Sequence, residues 1–160
     1  MSEIVVRVAD LAVASSADEL VTIGLGSCVA IILHDAVAAV GGLAHVLLPS
    51  PALTRADDRP GKVPQTAVPA LLERMSALGA RTPRITARLA GGASMFAALS
   101  APGTIQMGER NVVASRQVLA QAGIPIVAEA VGGDFGRTVR FRTADGTVEV
   151  SSVWHGTSAL

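Results

Sequence analysis

The sequence predicts an α+β domain. Three observations carry this: short β-branched runs ahead of Pro49, two amphipathic stretches of helical length that each end at a glycine, and an Asp-Gly turn between two β-branched runs near the C-terminus. Residues 5–13 and 20–23 read as two early strands, separated by the polar cluster Ser15-Ser16-Ala17-Asp18-Glu19. Gly24-Leu25-Gly26-Ser27 then reads as a turn. The run 29–33 is too short and too β-branched to favour a helix, and residues 41–48 follow as another strand. The links between these runs are too short for parallel crossovers, so an antiparallel meander is expected.

Residues 49–61 hold three prolines, two arginines and the pair Asp57-Asp58, the composition of an exposed loop that forms a rim or lid. Thr66 is the expected N-cap of a first helix, with Pro69 in its first turn, a stripe of Leu71, Leu72, Met75 and Leu78, and Gly79 at its end. A strand over 84–90 leads into Gly91-Gly92-Ala93-Ser94. Asn111 is the expected cap of a second helix whose Val112, Leu119 and Ala122 share a face before Gly123. Strands over 124–130 and 138–142 follow, and the last pair flanks the Ala144-Asp145-Gly146 turn. No repeat or internal boundary interrupts the chain, and residues 1–160 are read as one domain.

Composition narrows the function. Half of the residues are hydrophobic and 16% are charged, which excludes a disordered chain. Thirteen basic residues balance thirteen acidic ones and only four aromatics are present, so no nucleic-acid partner is expected. The acidic N-terminus does not fit a signal peptide, and no apolar run approaches the roughly 20 residues that span a bilayer. A soluble, cytoplasmic protein without membrane insertion is expected. The single cysteine, Cys28, cannot form an internal disulfide.

Thiol catalysis needs a cysteine, an imidazole to take its proton and backbone donors for the oxyanion. Cys28 follows a glycine-rich turn where the backbone is open to a substrate, and Ser27 and Gly26 are candidates for oxyanion or substrate binding. His45 lies on the run that the meander sets beside the one starting at Cys28, and could lower the thiol below its ordinary value of about 8.5. The residues alone leave alternatives open: Cys28 as a small buried hydrophobe, His34 or His155 as the partner, and Thr22 as an ordinary strand residue. Three histidines and one cysteine without paired spacing do not predict a metal site. Gly24-Leu25-Gly26-Ser27-Cys28-Val29 lacks the third glycine of a dinucleotide fingerprint. Gly91-Gly92 and Gly132-Gly133 could either present N–H groups to an anion or allow close backbone packing.

Read in order, these segments resemble the CheD family of chemotaxis proteins, the receptor glutamine deamidases. The resemblance begins at Thr22-Ile23-Gly24-Leu25-Gly26-Ser27-Cys28-Val29-Ala30 and continues through Gly41-Gly42-Leu43-Ala44-His45-Val46-Leu47-Leu48-Pro49 and Ala90-Gly91-Gly92-Ala93-Ser94-Met95-Phe96. It recurs at Gly108-Glu109-Arg110-Asn111 and Gly132-Gly133-Asp134-Phe135-Gly136-Arg137. It implies a layered α+β fold, with packed helices on β-sheet, like that of the deamidating cytotoxic necrotising factor toxins. It also implies Cys28 as nucleophile, His45 as base and Thr22 as the third member of a triad, with no cofactor. The expected activity is that of a protein-glutamine glutaminase converting receptor glutamines to glutamate in chemotaxis adaptation. The implied partners are the cytoplasmic helices of chemoreceptors and a CheC-type phosphatase, and a non-catalytic regulator of that phosphatase is the alternative role. Val63-Pro64-Gln65 stands where many members have a Tyr-x-Asp, and the tail after Val150 matches no family segment.

Overall fold

The computed structural model describes residues 2–55 and 59–160, so the Asp57-Asp58 pair of the expected lid lies outside the described residues. Among the described residues, ten strands and two α-helices form three layers. The strands are β1 (Glu3–Val5), β2 (Leu11–Ser15), β3 (Glu19–Leu25), β4 (Val29–Asp35), β5 (Val40–Val46), β6 (Ile85–Gly91), β7 (Ile126–Val131), β8 (Arg137–Arg142), β9 (Val148–Ser152) and β10 (Gly156–Ala159). The helices are α1 (Pro64–Ala77) and α2 (Met107–Gln121). One sheet has the order β1-β3-β8-β9-β10 and the other β2-β5-β4-β6-β7.

The layers follow from strand alternation, which sends successive side chains to opposite faces. Every residue of β4 and β5 is buried, because the second sheet is covered on both sides. Val29, Ile31, Leu33, Ala44 and Val46 face the helices, packing with Ala67, Val68, Leu71 and Met75 of α1 and Val112 and Leu119 of α2. The intervening Ala30, Ile32 and Leu43 face the first sheet and meet Leu20, Val139, Phe141, Val148 and Val150 there. His45 belongs by register to this inner face, two residues from Leu43.

The expected meander is only partly formed. β4 pairs antiparallel with β5 and β5 with β2, but β3 pairs with β1 and β8 in the other sheet. The cause is an extra residue in β3: Thr22 pairs with Val139, yet Leu25 pairs with Arg137, and Gly24 has φ +78°. Such a bulge bends its strand and raises its twist. Here it precedes the passage of the chain through residues 26–28 into the second sheet. The first expected strand is likewise two, with residues 6–10 linking β1 to β2 in different sheets.

Both helices start earlier than expected. Pro64, not Pro69, occupies the first turn of α1, and Thr66 lies inside the helix with its hydroxyl donating to the Pro60 carbonyl at 2.6 Å. The Pro64 ring supplies the fixed φ that opens the helix. Gln106 is the cap residue of α2, which places Asn111 in the helix interior and frees its side chain for another purpose. The tail, which matched nothing, forms β10 and pairs antiparallel with β9 around Val153-Trp154-His155.

Candidate active site

Cys28 is the residue before β4, and the β4–β5 register pairs Val29 with Val46 and Ala30 with His45. Cys28 packs in the same inter-sheet cluster as Ala30, so alternation puts it on the face that His45 shares, diagonally across the strand pair. Diagonal neighbours of this kind lie about 7–8 Å apart at Cα, within reach of long side chains. Thr22 is the last regular residue of β3 before the bulge and meets His45 from the opposite sheet, with Oγ1 2.7 Å from Nδ1. Thr22 and His45 therefore meet across the two sheets, and register places Cys28 on the same face, with no hydrogen bond between Cys28 and His45 among the described residues.

The hydrogen bonds fix the imidazole tautomer. Thr22 donates its hydroxyl to the Val6 carbonyl at 2.6 Å. A hydroxyl has one proton, and two oxygen acceptors this close without a proton between them would repel. The proton is thus spent on Val6, and His45 Nδ1–H donates to Thr22 Oγ1. Nε2 then carries the lone pair, and it is buried without a hydrogen-bond partner among the described residues. An imidazole held in this tautomer is a proton acceptor in waiting.

Burial sets the protonation of the pair. It pushes the Cys28 thiol, 8% exposed, above its ordinary value, against a smaller opposing effect of the residue's own N–H. It pushes His45 below its ordinary value, outweighing the Val6 carbonyl and the Asp10 charge. The direction of the thiol shift is thus opposite to the one an adjacent imidazolium would give: burial disfavours the charged form of both Cys28 and His45.

The loop carrying Cys28 is held by its carbonyls. Gly26 accepts from the Ala93 N–H at 2.9 Å, Cys28 from the Gly92 N–H at 2.8 Å, and Ser27 from Asn111 Nδ2 at 2.9 Å. Among the described residues none of the three N–H groups of this loop donates to a backbone carbonyl outside the regular strands. Ser27 also borders a cleft of about 280 Å³ shared with Ala93, Ser94, Met95, Phe96 and Gly108. Exposed Met95 and Phe96 line this cleft with Ser27, and exposed Ile23 shares a neighbouring one with Met95.

Gly91 and Gly92 serve close packing, whereas a Cβ on Gly132 would meet nothing within 4 Å. Gly91 has φ +106°, and a Cβ there would run into the Cys28 carbonyl, while one on Gly92 would strike Val112. The Gly92 N–H is occupied by the Cys28 carbonyl, the Gly132 N–H by the Gly91 carbonyl and the Ser94 N–H by the Gly133 carbonyl. Arg137 closes this region, donating to the Gly132 carbonyl at 2.8 Å and lying over the Phe135 ring at 4.3 Å.

The other histidines are engaged elsewhere. His34 is six residues along β4 from Cys28, roughly 20 Å at strand rise, and bonds the Thr143 carbonyl at 2.9 Å. His155 stacks on Phe135 with centroids 4.1 Å apart. Among the described residues no three of His, Cys, Asp and Glu cluster as metal donors, and no helix is long and apolar enough to cross a membrane. Sequence reasoning missed Asn111 and Arg137 as parts of this region; the only available signal was their place in motif-like segments.

A thiol, an imidazole with free Nε2 and a hydroxyl that locks its tautomer have the composition of a nucleophilic acyl-transfer site. Comparison with known proteins gives the family. A profile described as CheD chemotactic sensory transduction matches residues 47–152. A protein of Caldanaerobacter subterraneus subsp. tengcongensis is 43% identical over 94% of this chain and 93% of its own. One from Methanococcus maripaludis is 47% identical over 91% of this chain and 92% of its own, and one from Clostridium novyi 42% over 99% and 98%. All three are described as a probable chemoreceptor glutamine deamidase CheD. The chain belongs to the CheD family of chemotaxis proteins. Thr22, Cys28 and His45 lie upstream of the profile match and inside the 99% alignment.

Proposed function

We propose that this protein is a cysteine-dependent deamidase that converts glutamine side chains of chemoreceptors to glutamate, with Cys28 as nucleophile, His45 as general base and Thr22 as the group that orients the base. The observation that carries the reading is the Thr22–His45 hydrogen bond, which leaves Nε2 as the acceptor on the face shared with Cys28. The descriptions of its relatives supply the substrate.

In this mechanism the Cys28 sulfur attacks the amide carbon while its proton passes to His45 Nε2, and the carbonyl oxygen becomes an oxyanion held by N–H groups of the 26–28 loop. The C–N bond then breaks as the imidazolium returns that proton to nitrogen, so ammonia leaves and a thioester remains. A water, deprotonated by Nε2, attacks the thioester; the C–S bond breaks, the thiol is restored and the side chain leaves as glutamate. Thr22 Oγ1 stabilises the imidazolium formed in each half through its contact with Nδ1–H. No cofactor enters. The exposed apolar side chains of Ile23, Met95 and Phe96 near the loop suit the packed helix of a receptor better than a free amino acid. The layered fold is in this reading shared with the deamidating toxins.

The experiment is to incubate a purified receptor cytoplasmic fragment with the protein and analyse its peptides by mass. Conversion of specific glutamines to glutamate is expected, with no ammonia released from free glutamine. An unmodified fragment that nevertheless binds, together with altered activity of a CheC-type phosphatase, would favour the role of non-catalytic regulator instead.

A further inference from the structure

Asn111 is fully buried in the interior of α2, yet its side chain leaves the helix to join two other segments. Nδ2 donates to the Ser27 carbonyl at 2.9 Å and to the Leu47 carbonyl at 3.1 Å. Both partners are pure acceptors, so only the amide nitrogen can face them and the orientation of the group is settled by chemistry. Oδ1 is buried and has no partner among the described residues. One side chain thus ties the residue before Cys28 to the residue two beyond His45.

Its effect on the chemistry runs through a peptide plane. The Ser27 carbonyl and the Cys28 N–H belong to the same trans unit and point in opposite directions. Pinning that carbonyl onto Asn111 turns the Cys28 N–H away from α2. Among the described residues the Cys28 N–H donates to no backbone carbonyl outside the regular strands, which leaves it free to meet a substrate oxygen. The next peptide is pinned as well, by the bond from the Gly92 N–H to the Cys28 carbonyl. Close approach of α2 makes this possible: Gly108, one turn before Asn111, packs against the Gly92 and Ala93 backbone so closely that a Cβ would not fit.

We propose that Asn111 is a positioning residue for the reaction, holding the Ser27–Cys28 peptide so that the Cys28 N–H is the donor to the oxyanion. The inference rests on the Cys28 nucleophile reading. The single cysteine makes it testable on the unaltered protein, because labelling with [15N]cysteine gives one amide resonance. The probe is a receptor peptide in which the target glutamine side chain ends in an aldehyde. Addition of the thiol forms the C–S bond and transfers the thiol proton to the former carbonyl oxygen, placing that oxygen beside the donor. The Cys28 amide proton is expected to move downfield on adduct formation. Asn111→Ala is expected to lower kcat about 10- to 100-fold with KM unchanged, below the 10²–10³ reported for outright loss of a donor. Alkylation of Cys28 by iodoacetamide, which builds no oxyanion, should keep the parent rate.

An amide proton that does not move in the parent adduct overturns the proposal, and this result stands even if Asn111→Ala fails to fold. Parent kcat in a folded Asn111→Ala also overturns it. Loss of activity matched by a changed alkylation rate would make Asn111 a packing residue only. Deamidation by Cys28→Ala is a different failure, since it removes the nucleophile reading itself.

Discussion

Thr22→Val removes one oxygen and keeps the shape of the side chain, which isolates the hydroxyl. In the structure that oxygen serves two buried groups, the Val6 carbonyl at 2.6 Å and His45 Nδ1 at 2.7 Å. Each is left unpaired by the substitution, at about 1–3 kcal/mol per group, so a stability loss of about 2–6 kcal/mol is expected. Turnover should fall for a separate reason. The bond to a neutral imidazole is worth about 1 kcal/mol, whereas the bond to the imidazolium formed during reaction is worth about 1.5–3 kcal/mol. The difference of about 0.5–2 kcal/mol predicts a kcat lower by about 2- to 30-fold, to which loss of the tautomer lock adds. Thr22→Ser, which keeps the oxygen, should recover most of both. The assay is conversion of a receptor fragment followed by peptide mass, at a temperature where melting curves show each variant folded. Parent turnover in Thr22→Val would refute the orienting role. A loss equal to that of Cys28→Ala would show that positioning is the wrong description.

The pH profile follows from the two directions of shift. His45 acts as a base only when neutral, and its value is pushed below 6.5, so kcat/KM should hold down to that pH and fall only beneath it. The thiol is pushed above 9.0, so alkylation of the resting protein should rise only at pH above that value; an acid limb above 6.5 or fast alkylation at neutral pH would contradict the neutral pair. Gly91→Ala places a methyl against the Cys28 carbonyl at positive φ and should destabilise by about 1–3 kcal/mol with loss of turnover. Gly24→Ala meets no atom within 4 Å and should cost only its backbone strain, about 1–2 kcal/mol, by thermal melt. Asp35 accepts from the N–H groups of Val37, Ala38 and Arg81 and from Arg84, so Asp35→Ala should cost about 3–5 kcal/mol in denaturant titration. Burial opposes ionisation of Asp35, but these donors prevail and hold its value at about 2; its stabilisation is therefore complete above pH 3.8 and disappears as pH falls through about 2.

Much of the fold was legible because hydrophobic periodicity is local. The β4 and β5 runs, both helices and the Asp145-Gly146 hairpin lie close to where the pattern placed them. The assignment of strands to sheets was not legible, since it depends on a one-residue bulge at Gly24 that leaves no mark on the alternation of Leu20 and Thr22. That bulge explains why Thr22 meets His45 across the inter-sheet core instead of along a meander. Asn111 was misread because an asparagine ahead of an apolar stripe is a good cap by composition, and only packing reveals that the helix already began at Met107. The direction of the thiol shift was also out of reach, as it depends on how deeply the residue sits. The tail strand β10 is exposed along its whole length, so burial writes no pattern into its sequence.

The measurement that bears most directly on the central claim is the deamidation of a receptor fragment by Cys28→Ala beside the parent, with melting curves for both. Cys28 lies at the edge of the inter-sheet cluster, so truncation should leave the fold intact. The parent should convert glutamine to glutamate at specific sites, and the folded variant should convert none while still binding the fragment. Conversion by folded Cys28→Ala at the parent rate would contradict the account.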